Sequence, residues 1–130
     1  MPQKKLSKRQ TELLRRFTKE RGAPSSKMQQ LVEWDPDFFE VYFNFSAHPW
    51  RKGVLPPKYK ELIYIAADAS VTHLFETGLK VHMRKALEQG ATPEEILEVL
   101  ELVAAIGIHS CTVGVPALAE VYDTWKAEKK

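Results

Sequence analysis

Helix-start signals recur along this chain, and they constrain its fold more than any other feature. Ser7 is followed by Gln10 and Ser26 by Gln29, the spacing at which a capping hydroxyl and a third-residue Gln or Glu satisfy each other's backbone N–H groups. Asp35-Pro36 sets a capping carboxylate before the residue best suited to a first helical position. Thr92-Pro93-Glu94-Glu95 combines all of these devices. Apolar residues then follow at helical spacing: Leu13, Leu14 and Phe17 up to Gly22, then Met28, Leu31 and Val32, then Ile96, Leu100, Val103 and Gly107, and finally Leu118, Val121, Tyr122 and Trp125. Nothing alternates as a half-buried strand would, and no repeat of roughly 20 to 50 residues is visible. These patterns predict an all-α chain of about six helices in one domain over residues 1–130, with N-terminal helices over 7–47.

Phe38 to Phe45 is aromatic enough for a strand. The cap before it and apolar residues at 38, 39, 42, 43 and 45 favour a helix buried nearly all round. His48 to Pro57, with Pro49, Gly53, Pro56 and Pro57, reads as the clearest loop. From Lys58, the residues Leu62, Ile65, Ala66 and Ala69 mark a helix that continues, with a break or kink, to Gln89, where Gly90 caps it. Leu102 to Ile108 is apolar on all sides and is expected to be buried. Residues 107–116 are rich in small side chains, which permit close approach of another backbone.

At 44% hydrophobic and 28% charged, the chain has ordinary globular usage. It is large enough for a real core but marginal for enclosing a pocket unaided, so association is expected. No segment is read as a membrane span of roughly 20 uncharged apolar residues, and the N-terminus lacks the apolar core of a signal peptide. The expectation is a cytoplasmic protein without membrane contact. Residues 1–21 carry eight Lys/Arg against Glu12 and Glu20, a local charge of +6, while the remainder sums to −4. Because those cations alternate with Leu13, Leu14 and Phe17, they read as the solvated face of an amphipathic helix rather than a nucleic-acid site. Cys111 is alone, which excludes an intrachain disulfide and a two-thiol redox cycle within one chain.

Over residues 56–120 the sequence resembles the carboxymuconolactone decarboxylase family, a branch of the alkylhydroperoxidase-like scaffold. The resemblance rests on Leu-Pro-Pro-Lys-Tyr-Lys-Glu-Leu-Ile at 55–63, on His82 followed after seven residues by Gly90-Ala-Thr-Pro-Glu-Glu, and on Gly107 with Gly114-Val115-Pro116. It implies a bundle of helices assembled into dimers, trimers or hexamers, with sites near subunit contacts. In the decarboxylase branch it implies cofactor-free decarboxylation of a lactone acid, with a histidine at the place of His82. In the peroxidase branch it implies a Cys-x-x-Cys-x-x-x-His relay with an upstream glutamate, which Glu61 resembles. Counting back from His82, the cysteine positions hold Phe75 and Gly78; counting forward from Glu61, they hold His73 and Glu76. Neither register contains a thiol, so peroxidase activity does not carry over.

His82 lies at helical spacing from Phe75, Leu79 and Ala86, an apolar stripe where an imidazole can serve as a proton shuttle or as a satisfied core residue. Glu61, Tyr64 and Asp68 share a face at i, i+3 and i+7, and Glu61 would orient or recharge His82 if that face meets it. His73, Glu76 and His109 are candidates to line the pocket. His73 and His82 are nine residues apart, about 900° on a continuous helix, so they converge only if the helix starts after residue 73 or breaks near Gly78, or if a second subunit contributes. Trp50 and Arg51, read as part of the proline-rich loop, would form a lid in which Arg51 binds a substrate carboxylate. Cys111 reads as a buried structural thiol.

The leading expectation is a small acid–base enzyme, a lyase or isomerase acting on a small carboxylate or lactone without cofactor or thiol chemistry. His82 and Glu61 would be its catalytic residues, and the chain would act as a homo-oligomer. The alternatives are a non-catalytic ligand-binding scaffold and a metal-dependent enzyme using His73, Glu76, His82 and His109; no metal ligand is assigned.

Overall fold

The computed structural model describes residues 5–129; residues 1–4 of the basic N-terminal stretch and Lys130 lie outside the described residues. Its elements are α1 (Lys8–Arg21), α2 (Ser26–Trp34), α3 (Pro36–Lys52), α4 (Pro57–Ala69), α5 (Glu76–Glu88), α6 (Pro93–Ala104) and α7 (His109–Glu128). A single 3-10 turn, Ala105–Ile108, links α6 to α7, and the three pieces run as one rod over Pro93–Glu128. No strand occurs among the described residues, and the all-α expectation holds. The helices group into two units, one ending at Val54 and one beginning at Leu55.

In the first unit the start signals act as read. Ser7 and Gln10 form a full capping box at α1, and Asp35 accepts from the Phe38 N–H at the start of α3. At α2 the capping hydroxyl belongs to Ser25, one residue earlier than the sequence suggests. Leu13, Phe17, Val32, Phe39, Phe43 and Ala47 close into one core. Phe17 sits 5.5 Å, centroid to centroid, from both Phe39 and Phe43, inside the range where tilted rings attract.

Two expectations fail in this unit. The loop read over His48–Pro57 shrinks to residues 53–56, because α3 continues through Pro49 to Lys52 and stops at Gly53, which takes the left-handed conformation at φ 68°. Proline removes one backbone donor, but so near the helix end this forfeits only a bond to residue 45, and the buried Ala47 holds the preceding turn in place. Nor is the aromatic run buried all round: Phe39 and Phe43 are buried, whereas Phe38, Val41, Tyr42 and Phe45 are exposed.

In the second unit α4 packs against α5 and α6 around Ile65, Ala86, Ala91 and Ile96, with Leu62, Leu79, Met83, Val99 and Leu100 beside them. Ala86 is fully buried, and so small a side chain lets α5 approach α4 closely. Thr92 and Glu95 form the capping box of α6, and Lys58 at the start of α4 donates to Glu95 Oε1 at 2.8 Å, tying the two helix starts together. The break between α4 and α5 is a folded turn. The His73 and Leu74 N–H groups both donate to the Ser70 carbonyl, and the Phe75 N–H donates to the Asp68 carbonyl at 2.8 Å. Leu74 pays for this reversal with φ 45°, in the left-handed region that L-residues avoid.

Beyond Glu101 the rod has no buried residue. Leu102, Ile106 and Ile108 are exposed, contrary to the expectation that this stretch is buried, and Cys111 is exposed too. The stretch is apolar as read, but nothing among the described residues covers it. By length and composition alone the helix Pro93–Glu128 is long and apolar enough to cross a bilayer, where the sequence reading finds no segment approaching a span.

Candidate active site

The buried face of α4 consists of Glu61, Ile65 and Asp68, at i, i+4 and i+7. Two carboxylates flanking one isoleucine is an expensive way to build a core, since a buried charge needs a partner. For Glu61 that partner is His82 on α5: Nδ1 lies 2.6 Å from Glu61 Oε2, with side-chain exposures of 14% and 4%. As a carboxylate Glu61 can only accept, so the His82 Nδ1–H donates to it, and Nε2 is left as the nitrogen available for chemistry. Tyr64, one turn beyond Glu61, stacks its ring on the imidazole at 4.5 Å and 9°. The ring is thus fixed in plane by Tyr64 and in tautomer by Glu61.

Asp68 lies on the other side of the ring. Its Oδ2 is 4.0 Å from His82 Nε2 and its Oδ1 is 3.4 Å from His73 Nε2. Asp68 Oδ2 is buried and has no hydrogen-bond partner in the structure. Gly78, on the first turn of α5, makes this possible: a Cβ there would fall on Asp68 Oδ2 and on the Phe75 ring. His73 sits in the turn before α5 with its ring against Phe75 at 5.6 Å. Since α5 begins at Glu76, the sequence condition for bringing His73 toward His82, a helix starting after residue 73, is met.

Residues 36–127 match the carboxymuconolactone decarboxylase family. The chain belongs to that family. A crystal structure from Burkholderia xenovorans LB400, whose assignment as a gamma-carboxymuconolactone decarboxylase subunit is itself provisional, superimposes with a TM-score of 0.86 at 46% sequence identity. The match covers 93% of this chain and 49% of that one, so this chain spans about half the length of the Burkholderia protein. No curated protein matches.

The family match begins at Pro36, twenty residues before the block from which the resemblance was read, and so takes in α3. Of the residues singled out from sequence, His82 and Glu61 meet directly and His73 joins them through Asp68. Glu76 is exposed and paired with Lys80, and His109 is exposed on α7 with its ring near the Thr112 hydroxyl. Among the described residues no group of three or more His, Cys, Asp or Glu side chains is placed to hold a metal ion, so the set His73, Glu76, His82 and His109 does not form one.

Trp50 and Arg51 belong to α3 of the first unit rather than to a loop. Arg51 donates through Nε and Nη2 to Glu20 and lies over the Phe43 ring, while Arg21 lies over Trp50. The Glu20 carboxyl is accordingly held below the usual carboxylate range, first by its bonds to Arg51. Tyr64, Asp68 and Gly78 were not chosen as site residues from sequence. The shared face of Glu61, Tyr64 and Asp68 was legible, but the notch at Gly78 is visible only once α4 and α5 are packed.

Proposed function

We propose that this family member is a cofactor-free lyase that decarboxylates a small lactone acid of the carboxymuconolactone type, with His82 as proton donor and Glu61 as the group that orients and recharges it. The observation that carries the reading is the 2.6 Å contact between two nearly inaccessible side chains, His82 and Glu61. Decarboxylation breaks the bond between carbon and carboxylate, leaves its electron pair on the substrate carbon or its conjugated oxygen, and releases carbon dioxide. A His82 ring carrying a proton on Nε2 stabilises that developing charge and then delivers the proton to carbon, while the Nδ1–H bond to Glu61 becomes stronger as the ring is charged.

Purified protein supplied with gamma-carboxymuconolactone is expected to release carbon dioxide, and His82→Ala to lower turnover by about 10²–10⁴-fold. Undiminished turnover by a folded His82→Ala protein would remove His82 from the mechanism. Binding of the lactone, seen as a thermal shift, without turnover by the wild-type chain would favour a ligand-binding scaffold.

The rod supports a second element of the reading, that the working form is a homo-oligomer. Val113, Val115, Leu118, Val121, Tyr122 and Trp125 are all exposed on α7. Between α4 and α6 lies an open groove of about 800 Å³ whose lining includes Tyr59, Leu62, Ile63, Leu102 and Ile106. Apolar surface of this extent on one helix is a docking surface, and the Burkholderia relative is called a subunit. A second copy of this chain is the partner we assign to it. A mass measurement in detergent-free buffer tests this against membrane insertion: a monodisperse oligomer is expected, and a monomer or a detergent requirement would refute it.

A further inference from the structure

Decarboxylation consumes one proton per turnover: a carboxylate and a proton give carbon dioxide and a C–H bond. In the function proposed above, that proton leaves His82 Nε2, and the N–H electron pair returns to the ring. The ring must then be reloaded from water, although its side chain is only 14% exposed. Glu61, on the Nδ1 side, is more deeply enclosed at 4%. On the Nε2 side Asp68 is itself enclosed at 10%, and beyond it His73 reaches solvent at 56%.

We propose that Asp68 and His73 form a proton-supply arm that reloads His82 from solvent. His73 takes a proton from water and passes it from Nε2 to Asp68 Oδ1, leaving the His73 ring neutral and Asp68 as the acid. The carboxyl group turns to present that proton to His82 Nε2, which becomes charged as Asp68 returns to the carboxylate. The distances of 3.4 Å and 4.0 Å are longer than good hydrogen bonds, so each transfer needs a small swing of a side chain or one bridging water.

Three local features fit this task better than they fit a structural one. Asp68 Oδ2 is buried without a hydrogen-bond partner, an unfavourable state that packing alone does not require. Gly78 leaves the space in which that oxygen sits. The turn over residues 70–75, with Leu74 at φ 45°, folds back so that His73 stands over the end of α4 instead of pointing away from it. Asp68 and His73 touch no reacting atom in this scheme and act through His82. Titratable groups that meet the ring include Glu61, Tyr64 and Asp68 from α4, with His73 from the turn meeting Asp68.

The inference rests on the acid–base role of His82, and its test has one arm that needs no substrate. With histidine labelled by ¹⁵N, exchange of the His82 Nε2 proton with water is measured by NMR in the wild type, Asp68→Asn, His73→Gln and His73→Ala. Exchange is expected to slow about tenfold or more in each variant. Because His73 is exposed, its variants should fold even if Asp68→Asn does not.

In the second arm, gamma-carboxymuconolactone at saturation should be turned over about a hundredfold more slowly by His73→Ala. Its first turnover should be preserved, and added imidazole should restore the steady rate. Unchanged exchange in the His73 variants overturns the arm, as does a loss of turnover that imidazole does not rescue. Slowed exchange in a chain that never turns over the lactone keeps the arm and rejects the decarboxylase reading, so the two failures are distinguishable.

Discussion

The two units of this protein bury different things. The unit of α1 to α3 closes around an aromatic and aliphatic core, and its charges pair at the surface: Arg9 and Arg16 with Glu40, Arg51 with Glu20. The unit of α4 to α7 has a smaller apolar core and places two carboxylates and an imidazole against it, while α7, rich in exposed apolar side chains, has no buried residue. A region that buries only what water rejects needs no further explanation than stability. A region that buries charge beside a helix with no buried residue fits the chemistry and the association proposed above.

The sharpest way to break this contrast is to attack each unit at its centre. Phe43→Ala should cost about 3–5 kcal/mol of stability through the cavity it leaves among Phe17 and Phe39, read by chemical denaturation. A loss below about 1 kcal/mol would mean that the first unit is not held by its aromatic core. Glu61→Gln, in the second unit, should lower turnover of the lactone about a hundredfold, or ~2.7 kcal/mol in the barrier, because the amide cannot stabilise a charged His82 ring as a carboxylate does. Wild-type turnover by that variant would show that the buried pair is merely structural.

Gly78→Ala sharpens the contrast at the notch. The new methyl group would collide with Asp68 Oδ2 and Phe75, so a destabilisation of about 1–3 kcal/mol is expected, with Asp68 displaced from His82. The same collision explains why a thiol at position 78, one of the two cysteine positions counted back from His82, is incompatible with Asp68 as it stands.

The smallest effect concerns pH. Lys58, and then the Thr92 N–H, hold the Glu95 carboxyl below its ordinary value of 4.5. A lowered folded value means that the stabilisation is complete above the ordinary carboxylate range and is lost as pH falls through the folded value. Thermal scans between about pH 6 and about pH 3 should therefore show a steeper acid loss in the wild type than in Lys58→Met. Equal slopes would mean that this exposed ion pair adds nothing.

Much of this was legible in the sequence because it depends on neighbours along the chain. Capping boxes at Ser7 and Thr92, the Asp35 cap and the stripes of Leu13 and Phe17 or of Ile96 and Leu100 are local, and each forms where it was read. The prolines misled at α3, since Pro49 breaks a helix only when the lost bond outweighs what the surrounding turns gain, and that balance is set by packing. The apolar run at 102–108 was read as buried because hydropathy reports what water rejects and not what covers it. Arg51 looked available for a substrate carboxylate until Glu20, thirty-one residues away, took its guanidinium.

The missing cysteine pair, the all-helical class and the family block around His82 were properties of the sequence by itself, because residue identity and local periodicity are written in one dimension. That Glu61 and Asp68 face His82 from opposite sides, that Tyr64 stacks on its ring and that Gly78 makes room for an unpartnered carboxylate oxygen were decided by tertiary structure alone. The reason is geometric: each depends on how closely α4 and α5 pack and on a turn that doubles back, and no spacing along either helix encodes the distance between them.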